Sequence, residues 1–331
     1  MNQELYKIAN KIMSGHRGIL ASDERPESAN KNLIKAGIEP TDKLRKDYRE
    51  LFICTPGLEK YINGIILHEE TFYQKDSSGK PFKETLLEKG IEIVIKVDGG
   101  TEELPESPNE VYTKGLSTLD TELKKFYEDG ARLAKWRSVI RIGEGLPTEE
   151  CLERNSKDLA VYAKACQENS IVPIVEPEVL LNGTHTIEKA EEITKLTLER
   201  VFEALVEENV DLEAVILKTS MVVPGNGSGQ KYTPSEIAGY TVRTLLDSVP
   251  ETIPGIVFLS GGQPPEEATE NFNAIAGKEP LPWELTFSFL RAVEGPPGKI
   301  WGGKSENIFA AREDFINRLK MNTRADEGKL S

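Results

Sequence analysis

Histidine and cysteine are scarce in this chain of 331 residues, with three of each. His16, His68 and His185 have no metal-ligand spacing, and His68-Glu-Glu-Thr71 lacks the second histidine that a zinc-binding helix needs. Cys54, Cys151 and Cys166 are odd in number and far apart, which excludes a disulfide framework or a metal knuckle and leaves reduced, buried thiols. No apolar stretch approaches the roughly eighteen residues of a membrane span. The opening Met1-Asn-Gln-Glu-Leu-Tyr-Lys-Ile8 has no basic region followed by an apolar run, so an unprocessed cytoplasmic chain is expected. Without a secretory signal, Asn182-Gly-Thr184 and Asn226-Gly-Ser228 carry no weight as glycosylation acceptors.

Positive charge is also in deficit. Lysine and arginine number 41 against 55 acidic residues, a formal charge of -14, which argues against nucleic acid or an anionic membrane as partner. A phosphorylated ligand is repelled at long range by such a surface, so any phosphate site here has to be a local cluster of donors. Neither a dinucleotide fingerprint nor a P-loop follows the first apolar segment, where Ala21-Ser-Asp-Glu-Arg-Pro26 stands instead. A doubly wound sheet needs one of them.

What is present is an alternation. Eight short apolar segments recur: Gly18-Ile-Leu-Ala-Ser22, Ile62-Asn-Gly-Ile-Ile-Leu67, Ile91-Glu-Ile-Val-Ile-Lys-Val97, 133–142, 171–176, Ala214-Val-Ile-Leu-Lys218, Gly255-Ile-Val-Phe-Leu-Ser260 and Leu285-Thr-Phe-Ser-Phe289. Between them, 118–129, 155–168, 188–208 and 234–246 space their apolar residues for one covered helix face. Eight strand-helix repeats count to a closed parallel barrel, so the expected fold class is α/β, a single (β/α)8 TIM barrel over residues 1–331. Pro234 and Ser235 read as a helix start without a full capping box. The polar 98–109 reads as a loop at the barrel mouth, Pro224-Gly-Asn-Gly-Ser-Gly229 as a flexible loop, and the chain from about 321 as a mobile tail.

The apolar segments carry charges of both signs, more than a solvated face requires. With the period of two of a strand, Lys218 shares a face with Ile216, Glu176 with Ile174, and Lys135 with Arg137, while Trp136 points the other way into packing. If the charged faces point inward, ammonium and carboxylate groups converge. Burial and a neighbouring cation both disfavour a charged amine, so Lys218 beside Lys135 is expected to lose its proton readily and attack a carbonyl. Glu176, Glu178 and Asp23 would move protons around the resulting imine. Buried ion pairs between strands are the alternative reading of the same charges. A second cluster, Ser260-Gly-Gly262 after the seventh segment with Arg291 after the eighth, offers backbone N–H groups, a hydroxyl and a guanidinium to an anion.

These segments, taken together, resemble class I fructose-1,6-bisphosphate aldolase. The likeness lies in Gly18-Ile-Leu-Ala-Ser-Asp-Glu24, Leu67-His-Glu-Glu-Thr71, Lys96-Val-Asp98, Ala134-Lys-Trp-Arg137, Ile174-Val-Glu-Pro-Glu178, Leu217-Lys218 with Met221-Val222, Phe258-Leu-Ser-Gly-Gly-Gln263 and Leu285-Thr-Phe-Ser288 with Arg291, in the family's order from about Tyr6 to Phe315. The resemblance implies that Lys218 is the Schiff-base lysine, that Glu176 and Asp23 are proton-transfer carboxylates, and that Lys135, Arg137 and Glu178 orient substrate and tune the lysine. It implies phosphate contacts from Ser260, Gly261 and Arg291, with Ser28 and Lys96 at the other end of the substrate. It further implies fructose 1,6-bisphosphate and triose phosphates as substrate and products, no cofactor or metal, and a homotetramer. An additional actin-related scaffolding role is a second reading. The chain departs from the familiar pattern at Arg25-Pro-Glu27, Asn32, Leu290 and Lys218-Thr-Ser220, and no tyrosine stands at its end.

Overall fold

The computed structural model describes residues 2–105 and 107–330. All eight apolar segments form strands. They are β1 (Gly18–Ser22), β2 (Ile62–Leu67), β3 (Glu92–Lys96), β6 (Leu133–Ile140), β7 (Val172–Val179), β8 (Ile216–Thr219), β9 (Gly255–Phe258) and β10 (Glu284–Phe287), in one parallel sheet whose spatial order is the chain order. The first and last strands meet where the Ala21 N–H donates to the Phe289 carbonyl at 3.2 Å, so the sheet curls into a barrel. Helices such as Glu149–Glu168, Ile187–Glu207 and Pro234–Ser248 cover the outside, as their apolar spacing predicts. Trp136 is fully buried on that outer face and stacks on Tyr162 of the helix Glu149–Glu168, with ring centroids 5.6 Å apart.

The lower half of the barrel interior is apolar and plugged. The helix Asn2–Met13 sends Leu5, Ala9, Ile12 and Met13 into a cluster with Ile66, Val94, Leu133, Val172, Ile216 and Val257. The plug can approach because Gly64 and Gly255 have no side chain: a Cβ there would lie 2.7 Å from Ile12 and 2.3 Å from Met13. Further along the strands the interior turns polar. Val94 and Leu133 are paired across β3 and β6, and the next inward pair is Lys96 and Lys135. Period-two alternation thus stacks a charged layer directly on the apolar one.

Four segments differ from their sequence reading. The stretch that begins at residue 98 includes an antiparallel hairpin, β4 (Thr101–Leu104) against β5 (Ser107–Thr113), which is tied to β6 by the Thr113 hydroxyl donating to the Arg137 carbonyl at 2.7 Å. The glycine-rich 224–229 is held in place, since the N–H groups of Gly225, Asn226 and Gly227 donate to His185, Leu181 and Gly183 at 2.8–2.9 Å. From residue 321 the chain is not a tail. It continues the helix Ile308–Asp326, in which Asn322 and Asp326 are buried with partners: Thr269 donates to Asn322 at 3.1 Å and Thr286 to Asp326 at 2.7 Å. Finally, the helix Pro234–Ser248 does start with a full capping box, formed by Thr233 and Glu236 and not by Ser235. Thr233→Ala is therefore expected to cost about 1 kcal/mol of stability, measurable by urea unfolding. A Ser235→Ala change should cost far less.

No helix among the described residues is long and apolar enough to cross a membrane.

Candidate active site

The charged layer opens into a cavity of about 450 Å³ at the carboxyl ends of the strands. Every residue singled out above lines it: Lys218, Glu176, Asp23, Lys135, Glu178, Arg137, Ser28, Lys96, Ser260, Gly261 and Arg291. Asp23 follows β1 and Ser28 sits on the helix Pro26–Lys35, while the others arrive from β3, β6, β7, β8 and the segments after β9 and β10, which is the face where barrels of this kind present their chemistry.

Glu176 is the meeting point of two lysines. Its Oε1 lies 3.3 Å from the Lys218 Nζ and its Oε2 lies 3.1 Å from the Lys135 Nζ, with all three side chains almost fully buried. Lys135 also reaches Asp23 at 2.7 Å and Asp98 at 3.8 Å. Among the described residues Lys218 has one ion-pair partner and Lys135 has three. The two amines are therefore held very differently. One is clamped among carboxylates, and the other has room to change its bonding.

The protonation states follow from that clamp. Burial opposes the charge on Lys135, but Asp23, Glu176 and Asp98 outweigh it and hold this lysine far above the usual range. Burial would likewise raise Asp23 and Glu176. The charges of Lys135, Lys96 and Lys218 on Asp23, and of Lys135 and Lys218 on Glu176, bring both below their ordinary values. The pocket therefore keeps ionised carboxylates, ready to accept protons, beside a permanent cation. Glu178 pairs with Arg137 and fixes that guanidinium at the rim.

On one wall, Lys96 pairs with Asp98, and burial together with the Lys135 charge brings Lys96 down to about 8. On the opposite wall Ser260 is buried. Gly261 and Gly262 turn with positive φ, and Arg291 opens the helix Arg291–Trp301. The Leu290 side chain does find room, since it packs on the apolar cluster inside the barrel and still borders the cavity.

Several residues that border or support this cavity escaped the sequence reading. Asp98 lies two residues beyond Lys96, just past the end of β3, and has no role of its own in that reading although Lys96-Val-Asp98 belongs to the resemblance. Arg49, from the helix Asp42–Ile53, donates to Ser22 at 3.1 Å and lies 3.6 Å from both Glu24 and Glu294. Burial pushes Glu294 up to about 8, with Arg49 offsetting only part of it. Nothing in the local pattern announces this buried cluster beneath the cavity.

Comparison with known proteins agrees with the geometry. The family model of class-I fructose-bisphosphate aldolase matches residues 4–331. The cytosolic fructose-bisphosphate aldolase 4 of Arabidopsis thaliana is 47% identical over 98% of this chain and 83% of its own length. Fructose-bisphosphate aldolase C of Pan troglodytes is 44% identical over 99% and 90%. Among solved structures, the fructose-bisphosphate aldolase of Plasmodium falciparum, crystallised with TRAP and a small-molecule inhibitor, superposes with a TM-score of 0.98 at 42% identity, over 99% of this chain and 95% of that one. With its barrel, its lysine-carboxylate cavity and full-length relatives in plants and animals, this chain belongs to the class-I fructose-bisphosphate aldolase family.

Proposed function

We propose that this protein reversibly cleaves fructose 1,6-bisphosphate to dihydroxyacetone phosphate and glyceraldehyde 3-phosphate, in glycolysis and gluconeogenesis, through an imine on Lys218 and without a metal. The observation that carries the reading is the buried Lys218 amine 3.3 Å from a carboxylate that Lys135 holds from its other side.

In this reading the neutral amine of Lys218 adds to the C2 carbonyl of the open-chain ketose, and Glu176 relays the protons that turn the carbinolamine hydroxyl into departing water. The protonated imine then accepts the electron pair of the C3–C4 bond. Glu176 with Asp23 removes the C4 hydroxyl proton, the aldehyde forms at C4, and glyceraldehyde 3-phosphate leaves. Protonation of the enamine at C3 and hydrolysis release dihydroxyacetone phosphate and restore the lysine. Lys135, fixed as a cation, stabilises negative charge developing on the substrate oxygens without being consumed. Ser260, Gly261 and Arg291 take the phosphate next to C2, since β9 is the neighbour of the strand that carries Lys218. Ser28 and Lys96 take the other.

A homotetramer and a cytoplasmic location belong to the same reading, and family membership is what supports them. No described feature favours an actin-related scaffold.

The direct test is turnover by the purified chain, with both triose phosphates assayed in the presence of a chelator. Absence of products, or activity that disappears with the chelator, would count against the reading. The pH profile tests the wall that bears Lys96. Its ammonium is present below about 8 and lost above it, so attraction for a phosphate weakens as pH rises through that value. We expect kcat/KM for the bisphosphate, which reports the free enzyme, to fall above about pH 8. Lys96→Arg should flatten that decline, because a guanidinium keeps its charge. A decline of unchanged size in a folded, active Lys96→Arg would assign the pH dependence to another group.

A further inference from the structure

We propose that Arg25 is the permanent cation for the phosphate farthest from Lys218, and that it makes the cavity selective for ketoses phosphorylated at both ends. The inference rests on the aldolase reading and adds to it a residue that the resemblance did not supply, since Arg25 lies in a stretch where the chain departs from the familiar pattern.

The placement comes first. Lys218 is paired with Val257 on β9, and Ser260 follows on the same side of the barrel. A ketose whose C2 sits at Lys218 and whose nearer phosphate sits at Ser260 must extend its remaining carbons across the mouth, toward the ends of β1 and β3. Arg25, Ser28 and Lys96 line the cavity there. The Arg25 Nη2 donates to the Asp98 carbonyl at 2.8 Å and lies 3.4 Å from its carboxylate. Its Nε and Nη1 have no protein partner among the described residues, and the side chain is 30% exposed. Half of the guanidinium fork is anchored, and half remains available to an anion.

The backbone accommodates this pose specifically. The guanidinium lies across Gly100, at the base of the β4–β5 hairpin, where a Cβ would fall 2.0 Å from Nη1. Gly100 also has φ +83, a conformation that side-chain-bearing residues rarely adopt. Charge balance points the same way. Asp98 is the carboxylate paired with both Arg25 and Lys96, and it also lies 3.8 Å from Lys135, which has Asp23 and Glu176 besides. That leaves an excess of positive charge on one wall in a protein of formal charge -14. A phosphate dianion would balance it.

The test compares Arg25→Ala and Arg25→Lys with the parent on fructose 1,6-bisphosphate and fructose 1-phosphate, with thermal unfolding as the control for folding. In Arg25→Ala, kcat/KM for the bisphosphate should fall about ten- to a hundredfold, chiefly through KM, as expected for loss of charge-assisted hydrogen bonds. For the 1-phosphate it should change less than about twofold, and Arg25→Lys should recover part of the bisphosphate loss. Gly100→Ala, which displaces the guanidinium without deleting its charge, should show the same substrate split. Binding of hexitol 1,6-bisphosphate, followed by calorimetry, gives a readout independent of turnover: Arg25→Ala should weaken it by a similar factor while sparing hexitol 1-phosphate. Equal losses on both sugars would mean that Arg25 only pins the hairpin to β1, and undiminished bisphosphate use and hexitol binding in Arg25→Ala would also overturn the proposal. If the parent cleaves neither sugar, the aldolase reading falls. The hexitol titration then still decides the role of Arg25: a selective loss supports it and no loss refutes it.

Discussion

Lys218→Ala is expected to lower kcat by at least about ten-thousandfold, because no other group can supply the electron sink that cleavage of C3–C4 requires. The parent protein, incubated with fructose 1,6-bisphosphate or dihydroxyacetone phosphate and then reduced with borohydride, should retain the substrate carbons on the peptide that contains Lys218, with or without a chelator. The variant should show no adduct there. Its fold should persist, since Glu176 keeps Lys135 as a partner at 3.1 Å when Lys218 is gone. An adduct confined to Lys96 or Lys135 would reassign the nucleophile. Full turnover by a folded Lys218→Ala protein, with nothing trapped, would remove the imine mechanism altogether.

Lys135→Met should damage stability as well as rate. The ammonium it deletes serves Asp23 at 2.7 Å, Glu176 at 3.1 Å and Asp98 at 3.8 Å, all of them buried. Glu176 keeps Lys218 and Asp98 keeps Lys96 and Arg25, but Asp23 is left without its ion-pair partner. An uncompensated buried carboxylate costs about 3–5 kcal/mol, and losing a preorganised charge at the reacting oxygens costs roughly a further hundred- to thousandfold in kcat. The sign of the pH dependence follows from the carboxylates. Lys135 lowers all three, so its stabilisation is present at neutral pH, above their unfolded values, and is lost as acid protonates them. The stability gap between parent and variant is therefore expected to be widest near pH 7 and to narrow toward pH 4, read from denaturant unfolding at each pH. A gap that stays constant over this range would mean that Lys135 stabilises by packing and not by charge.

The strands were legible because a parallel strand buried on both faces has to be apolar throughout, and each such run is short and bounded. The same rule made the charges informative. Parity on β6, β7 and β8 was enough to send Lys135, Glu176 and Lys218 into one space, since each follows an apolar inward residue by two positions. Asp98 obeys that parity but lies just past the end of β3, in a stretch too polar to read as a continuation of the strand. The hairpin of β4 and β5 was hidden for a related reason: Thr101–Leu104 is mostly exposed and acidic, with too few apolar residues to show alternation. The cap at Thr233 stands one residue before Pro234 and two before Ser235, and only its spacing of three to Glu236 marks it as a capping box. The cluster of Arg49, Glu24 and Glu294 had no local signal at all, since three segments far apart in the chain assemble it. Burial of Asn322 and Asp326 likewise depends on threonines on distant elements, which composition cannot anticipate.

The plug at the bottom of the barrel bears on how the protein is made. Its side chains Ile12 and Met13 occupy space left by Gly64 and Gly255, so the helix Asn2–Met13 leaves the ribosome long before half of its socket exists. At ordinary elongation rates the roughly 240 intervening residues take on the order of 10–50 s to appear. During that interval an amphipathic helix with Leu5, Ala9, Ile12 and Met13 on one face has no barrel to enter, and that face remains available to chaperones or to another nascent chain. A segment made long before β9 is thus seated only after it, and the yield of active protein from a cell should depend on what shields those residues until β9 emerges.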